Sequence, residues 1–134
     1  TATHTSPFKL GSLKKRAEFL FVRDGHYSAK GAVVIQMRAN PTRPDEISVG
    51  FTATKKIGNA VTRNRAKRRL RHAAREKLPL LGRPGHDYVF IARDGTTARS
   101  WDDLLDDVVK ALITLSRRAD GPTHGETTKK DQKS

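Results

Sequence analysis

The sequence predicts an α+β protein in which helices cover a small sheet. Strand-like alternation runs through 32–38 and 47–54, and a third apolar stretch, 86–93, has strand composition. Helical spacing of apolar residues appears inside the basic segment 55–77 and again after Ser100. The resulting order is helix, strands, basic helix, strand, helix, and 134 residues suit one domain with one core.

The elements follow in order. Residues 1–10 are polar around Pro7 and are expected to be flexible. Ser12 to Arg23 reads as a short helix capped by Ser12, with Leu13, Ala17, Leu20 and Phe21 at helical spacing and a stop at Asp24-Gly25. Ala32 to Arg38 reads as a strand with Val33, Ile35 and Met37 on one face, followed by turn chemistry at Asn40-Pro41 and Arg43-Pro44-Asp45. In the next strand Ile47, Val49, Phe51 and Ala53 point one way, which marks Phe51 as core.

The segment 55–77 carries ten Lys or Arg and one acidic residue. Ala66, Leu70, Ala73 and Ala74 fall on one arc of its helix, and the arginines fill most of the rest. Small residues on the buried arc let such a helix lie close to a sheet. Pro79 and Gly82 are expected to end it. His86 to Arg93 is a further strand. The last helix starts at Ser100 with Asp103 as capping partner, and Trp101, Leu104, Leu105, Val108, Val109, Leu112, Ile113 and Leu115 form its apolar stripe. Residues 119–134 are rich in Gly, Pro, Thr and Lys and are expected to be disordered, leaving 11–118 as the domain.

Lys plus Arg number 27 against 14 Asp plus Glu, a formal charge of +13. Such self-repulsion is retained when a polyanion compensates it: RNA, DNA, an anionic membrane or an acidic protein. The absence of cysteine removes disulfides and thiolate metal sites, and agrees with a reducing compartment. The longest apolar run, 32–37, is too short to cross a bilayer. A cytoplasmic protein is therefore expected. Met37 is the only methionine, so the chain is expected to begin after its initiator methionine or to be trimmed.

Catalytic residues are not visible, and neither a catalytic nor a metal-binding set is assigned. Asp102, Asp103, Asp106 and Asp107 read as carboxylates favouring the start of a helix. His4, His26, His72, His86 and His124 lack metal-ligand spacing, and Gly58 before a helix reads as a turn. Nucleic-acid binding fits better, because guanidinium forks pair with phosphate oxygens. A membrane helix is disfavoured by an apolar arc of mostly alanine with no aromatic anchor.

The run Lys55-Lys56-Ile57-Gly58-Asn59-Ala60-Val61, then Arg63-Asn64-Arg65, Lys67-Arg68 and Arg71, resembles the extended RNR signature of the bacterial ribonuclease P protein family. The resemblance covers about 11–118, with VGFTATKK before the signature and YVFIAR after it. It implies an αβββαβα two-layer sandwich with a small mixed sheet, like some ribosomal RNA-binding domains, with a left-handed βαβ crossover and a further strand near His26 to Lys30. It also implies the protein subunit of a ribonucleoprotein endoribonuclease that removes the 5′ leader of precursor tRNA. The RNA subunit would carry catalysis and hold the magnesium ions. Carried over by residue, Arg63, Asn64, Arg65, Lys67, Arg68 and Arg71 would contact the catalytic RNA. For Asn64, a local helix cap is the competing reading.

By the same resemblance Phe19, Arg23, Lys55 and Lys56 would hold the leader, by stacking and phosphate contact. Arg23 stands where the family usually has a second aromatic, one turn after Phe19; Phe21 faces away and is expected in the core. The partners implied are ribonuclease P RNA and precursor tRNA, with a monomeric protein in a 1:1 particle and neither DNA nor membrane. The alternative is a structural RNA-binding protein of ribosomal type without a role in cleavage. A DNA-binding module and a protein-only nuclease fit less well: strands surround the basic helix, and no carboxylate or histidine cluster supports hydrolysis.

Overall fold

The computed structural model describes residues 9–120. In chain order these form β1 (Lys9–Ser12), α1 (Arg16–Arg23), β2 (His26–Lys30), β3 (Val33–Ala39), β4 (Glu46–Thr52), a 3-10 turn (Lys55–Ile57), α2 (Ala60–Leu81), β5 (His86–Ala92) and α3 (Trp101–Asp120). One mixed sheet has the strand order β1-β4-β5-β3-β2. β1 and β5 run parallel to β4, while β3 runs antiparallel to β5 and to β2. The basic helix α2 thus links two neighbouring parallel strands, and the strand implied near His26 is present as β2.

Side-chain alternation splits the apolar residues between two faces. Val33, Ile35, Met37, Ile47, Tyr88 and Phe90 join α2 and α3 in the main core. The opposite face carries a smaller cluster, Leu13, Val22 and Val89, with Phe19, Phe21 and Ile91 packed against it. The α+β class and the mixed sheet are as expected, but the helices do not make one layer: α1 lies alone across β3 and β5 on the far face. Burial pushes the Tyr88 phenol up to about 12, although its oxygen accepts from the Arg83 N–H at 3.0 Å.

Several boundaries differ from the sequence reading. Lys9 and Leu10 are not a flexible lead-in but part of β1, which pairs Lys9–Ser12 with Glu46–Val49. Ser12 therefore sits in a strand and caps nothing. α1 starts at Arg16, where the Glu18 carboxylate reaches back to the N–H groups of Lys14 and Lys15 at 2.8 and 2.9 Å. Those bonds hold its carboxyl below the usual range. α2 runs past Pro79 to Leu81 before Gly82 caps it. α3 continues to Asp120, so Ala119 and Asp120 are helical. The rest of the tails expected at 1–10 and 119–134, residues 1–8 and 121–134, lies outside the described residues.

Asp107 also departs from its expected role at a helix start. It is buried, accepts from the Ala32 N–H at 3.0 Å, and receives a two-pronged bond from Arg99 at 2.9 and 3.0 Å. Gly31 (φ 51°) presses against this carboxylate in the β2–β3 turn. Asp107 therefore clamps α3 to that turn. Replacing Asp107 by Ala leaves a buried N–H unpaired, and chemical denaturation should show a loss of about 1–3 kcal/mol. An unchanged midpoint would mean that the clamp contributes nothing.

Candidate nucleic-acid interface

α2 is launched by a turn that the sequence encodes locally. Gly58 adopts φ 141°, and the Asn59 side chain accepts from the Thr62 N–H at 2.9 Å. Asn59 is thus the cap, which removes the capping reading of Asn64. Ala66, Leu70, Ala73, Ala74 and Leu78 are buried against the sheet and α3. The remaining circumference faces outward. At about 100° per residue, Asn64, Arg68, Arg71 and Arg75 align as one ridge, and all four are exposed.

The six signature residues do not share one surface. Arg65 is exposed but belongs to the other shoulder of the helix, beside His72. Arg63 and Lys67 are half-buried, and Arg63 donates to the Gly58 carbonyl at 2.8 Å. Arg69 turns toward α3, donating to the Thr96 carbonyl with its guanidinium over the Trp101 ring. Arg75, absent from the expected set, completes the ridge; its position one turn after Arg71 is the sequence signal by which it was findable. The ion pairs among the described residues engage Arg38, Arg43, Lys77, Arg99 and Lys110, so the ridge cations have no carboxylate within 4.0 Å.

On the opposite face, α1 and the sheet enclose a cleft of about 720 Å³. Lys14, Arg16, Phe19, Leu20 and Arg23 line one wall; Gln36, Thr52, Val89 and Ile91 line the other, with Phe51 at the rim. The structure therefore brings Phe19 and Arg23 together, one helical turn apart. Phe19 is half-buried because its ring lies on Gly50, where a built Cβ would stand 2.6 Å from the ring edge. Arg23 is exposed. Lys55 and Lys56 do not line the cleft; they are exposed in the 3-10 turn, immediately after Thr54, which does. They stand beside the positive end of the α2 dipole. Lys14, Arg16 and Gln36 were missed in the sequence, because only the fold sets the approach to α1 opposite β3.

Phe21 and Phe51, both expected in the core, are each half-buried under a guanidinium. Phe21 packs under Arg38, whose guanidinium carbon lies 4.1 Å from the ring centroid, and rests against the smaller cluster without being fully buried, so its core reading is met only in part. Phe51 is a partial correction. It contacts Phe90 at 5.5 Å and packs against the main core, yet it is half-buried and Arg71 lies 5.3 Å from its ring centroid.

Cations, an aromatic ring, a carboxamide and a hydroxyl around an open cleft suit a single-stranded polyanion. Among the described residues no group of three or more His, Cys, Asp or Glu is placed to hold a metal ion. Asp103 takes its expected place at the α3 start, its N–H donating to the Ser100 hydroxyl at 3.1 Å. His26 is half-buried, and burial, then Arg118 and His86, lower its pKa. His4 and His124 lie outside the described residues.

Comparison with known proteins gives one answer from three directions. The family model described as Ribonuclease P matches residues 9–116. The ribonuclease P protein component of Caulobacter vibrioides (strain NA1000 / CB15N) is 53% identical, over 92% of this chain and 89% of its own. That of Ruegeria pomeroyi is 52% identical, over 77% and 84%. Among solved structures, the Staphylococcus aureus RNase P protein matches with TM-score 0.66 at 25% identity, covering 77% of this chain and 93% of that one. The Thermotoga maritima RNase P protein, at 22% identity and TM-score 0.64, covers 79% and 96% and shares the fold.

The contact of Phe19 with Gly50 sets the cleft floor. Gly50→Ala should destabilise the protein by about 1–3 kcal/mol through overpacking. The same change in a Phe19→Ala background should cost far less, which a double-mutant cycle reads directly. Equal losses in both backgrounds would show that Phe19 does not rest there.

Proposed function

The chain belongs to the ribonuclease P protein family, and from that premise we propose that its two basic surfaces hold two different RNAs. As the protein component of ribonuclease P, it is a subunit of an endoribonuclease that processes tRNA 5′ ends, and its partner is ribonuclease P RNA. The further assignments are ours. The α2 ridge, Asn64, Arg68 and Arg71, with Arg63, Arg65 and Lys67 beside it, contacts the catalytic RNA. The α1 cleft holds the single-stranded leader of precursor tRNA, with Phe19 and Arg23 against bases and Lys55 and Lys56 on phosphates at its end.

The single observation behind this reading is the separation of the two surfaces. One is a convex ridge of guanidinium groups with no ion pair among the described residues, suited to the phosphates of a folded RNA. The other is a concave cleft with an aromatic floor, suited to an unstacked strand. Arg23 takes the place of a second aromatic by laying its planar guanidinium on a base.

Catalysis is assigned to the RNA, together with its magnesium. Among the described residues no cluster of three or more His, Cys, Asp or Glu could hold a metal ion. The protein's part is to bind, orient and neutralise charge. One protein per catalytic RNA, in the bacterial cytoplasm and with no role on DNA, completes the proposal. No described helix is long and apolar enough to cross a membrane.

The test is cleavage of a precursor tRNA by ribonuclease P RNA at low, near-physiological magnesium, with and without this protein. The protein should restore cleavage at the leader junction and cut nothing alone. Tight binding of both RNAs with no change in cleavage would replace this reading with a structural RNA-binding role.

A further inference from the structure

A second groove lies on the other side of the β4 edge. β1 pairs with β4 only as far as Ser12 opposite Val49, and the Leu13 N–H closes the pairing on the Val49 carbonyl at 3.0 Å. Beyond that point the outer edge of β4 at Phe51 has no strand partner among the described residues. The gap between the end of β1 and α2 forms a trough of about 390 Å³, within the range of small-ligand sites. Phe51 lies on one side, Arg71 and Arg75 come from α2, and Ser12 and Lys14 come from the end of β1. None of the three cations is in an ion pair among the described residues. The nearby carboxylates include Glu18, which accepts from the Lys14 N–H at 2.8 Å, Glu46, turned toward Gly11, and Glu76, 4.0 Å from Lys77.

We propose that this trough is a binding subsite for one nucleotide of single-stranded RNA, with the base on Phe51 and the phosphate between Arg71, Arg75 and Lys14. Arg71 already stands over the Phe51 ring at 5.3 Å. An entering base takes over that ring face and releases the guanidinium to its own phosphate, so an aromatic contact and an ion pair form together. The open edge of β4 offers backbone groups to the base rim. The trough shares Lys14, Phe19 and Phe51 with the α1 cleft, so one strand can pass from one groove to the other. This inference rests on the ribonuclease P reading and adds a subsite to it.

Two variants test it: Phe51→Leu, which keeps an apolar contact on Phe90, and Arg75→Gln, an exposed change that spares the core. At fixed salt, the affinity of each protein for ribonuclease P RNA is measured, and then the affinity of each assembled holoenzyme for precursor tRNA and for mature tRNA. Phe51→Leu should weaken binding by about tenfold, as expected for loss of one base–aromatic stack. Phe51→Tyr should restore it, and Arg75→Gln should weaken the same partner. A loss confined to precursor tRNA identifies the leader as the source of the nucleotide; a loss confined to ribonuclease P RNA identifies a strand of that RNA. If the parent supports cleavage while both variants bind every RNA as tightly as it does, the subsite is overturned and the subunit reading stands. If the parent itself fails to support cleavage, the subunit reading falls first. Should Phe51→Leu unfold, Lys14→Gln, an exposed trough residue off the α2 ridge, decides in its place: weakened binding supports the subsite and unchanged binding overturns it.

Discussion

The packing of an alanine face of α2 onto two parallel strands is the constraint on which the rest depends. Ala66, Ala73 and Ala74 let the helix axis approach the sheet closely, and they leave no room for a charged side chain beneath it. Every guanidinium must then lie on the outer or flanking arcs, where repulsion between neighbours is relieved by an anionic partner rather than by carboxylates. The same packing fixes the start of α2 beside the end of β4, which puts Lys55 and Lys56 at its positive end. It also sets Arg71 over Phe51, so the ridge and the trough are consequences of one contact.

The far face depends on a different balance. α1 is short, and a small cluster around Leu13, Val22 and Val89 is all the apolar burial it has. Polar contacts add to it. Arg43 reaches Asp87 in β5 at 2.8 Å and stands 3.8 Å from Glu18 in α1, while Asn40 donates to the same Asp87 oxygen at 2.9 Å. The Asp87 carboxylate is buried, so its pairing with Arg43 sets geometry at a desolvation cost. A cleft roof held by few contacts leaves the space beneath it open. That openness is what a strand-binding site requires, and it separates the proposed leader surface from the ridge on α2.

Much of this was legible in the sequence, for identifiable reasons. α2 and α3 are long enough for helical spacing to be unambiguous, and β3, β4 and β5 alternate or carry strand composition over seven residues each. β1 was not legible. Four residues, Lys-Leu-Gly-Ser, carry too little pattern, and their strand state comes from the edge that β4 offers. Misreading β1 displaced the start of α1, because Ser12 is a good cap in isolation and only the sheet reassigns it. Among site residues, Phe19 and Arg23 came from the family resemblance, which pairs two positions one helical turn apart. The six signature residues were grouped by adjacency in sequence, whereas the helix distributes them around its axis. Phe51 looked like core because its strand phase is that of Ile47 and Val49; that β1 stops short and exposes its ring is a fact of tertiary pairing alone.

The central claim is that α1 and α2 face different RNAs, and site-directed photocrosslinking tests it most directly. The chain contains no cysteine, so a single introduced thiol carries the probe uniquely. With the probe at Leu20→Cys in the cleft, crosslinks in the assembled holoenzyme should fall on the precursor leader. With the probe at His72→Cys on α2, they should fall on ribonuclease P RNA. Crosslinks from both positions to the same RNA, or the reverse assignment, would contradict the account.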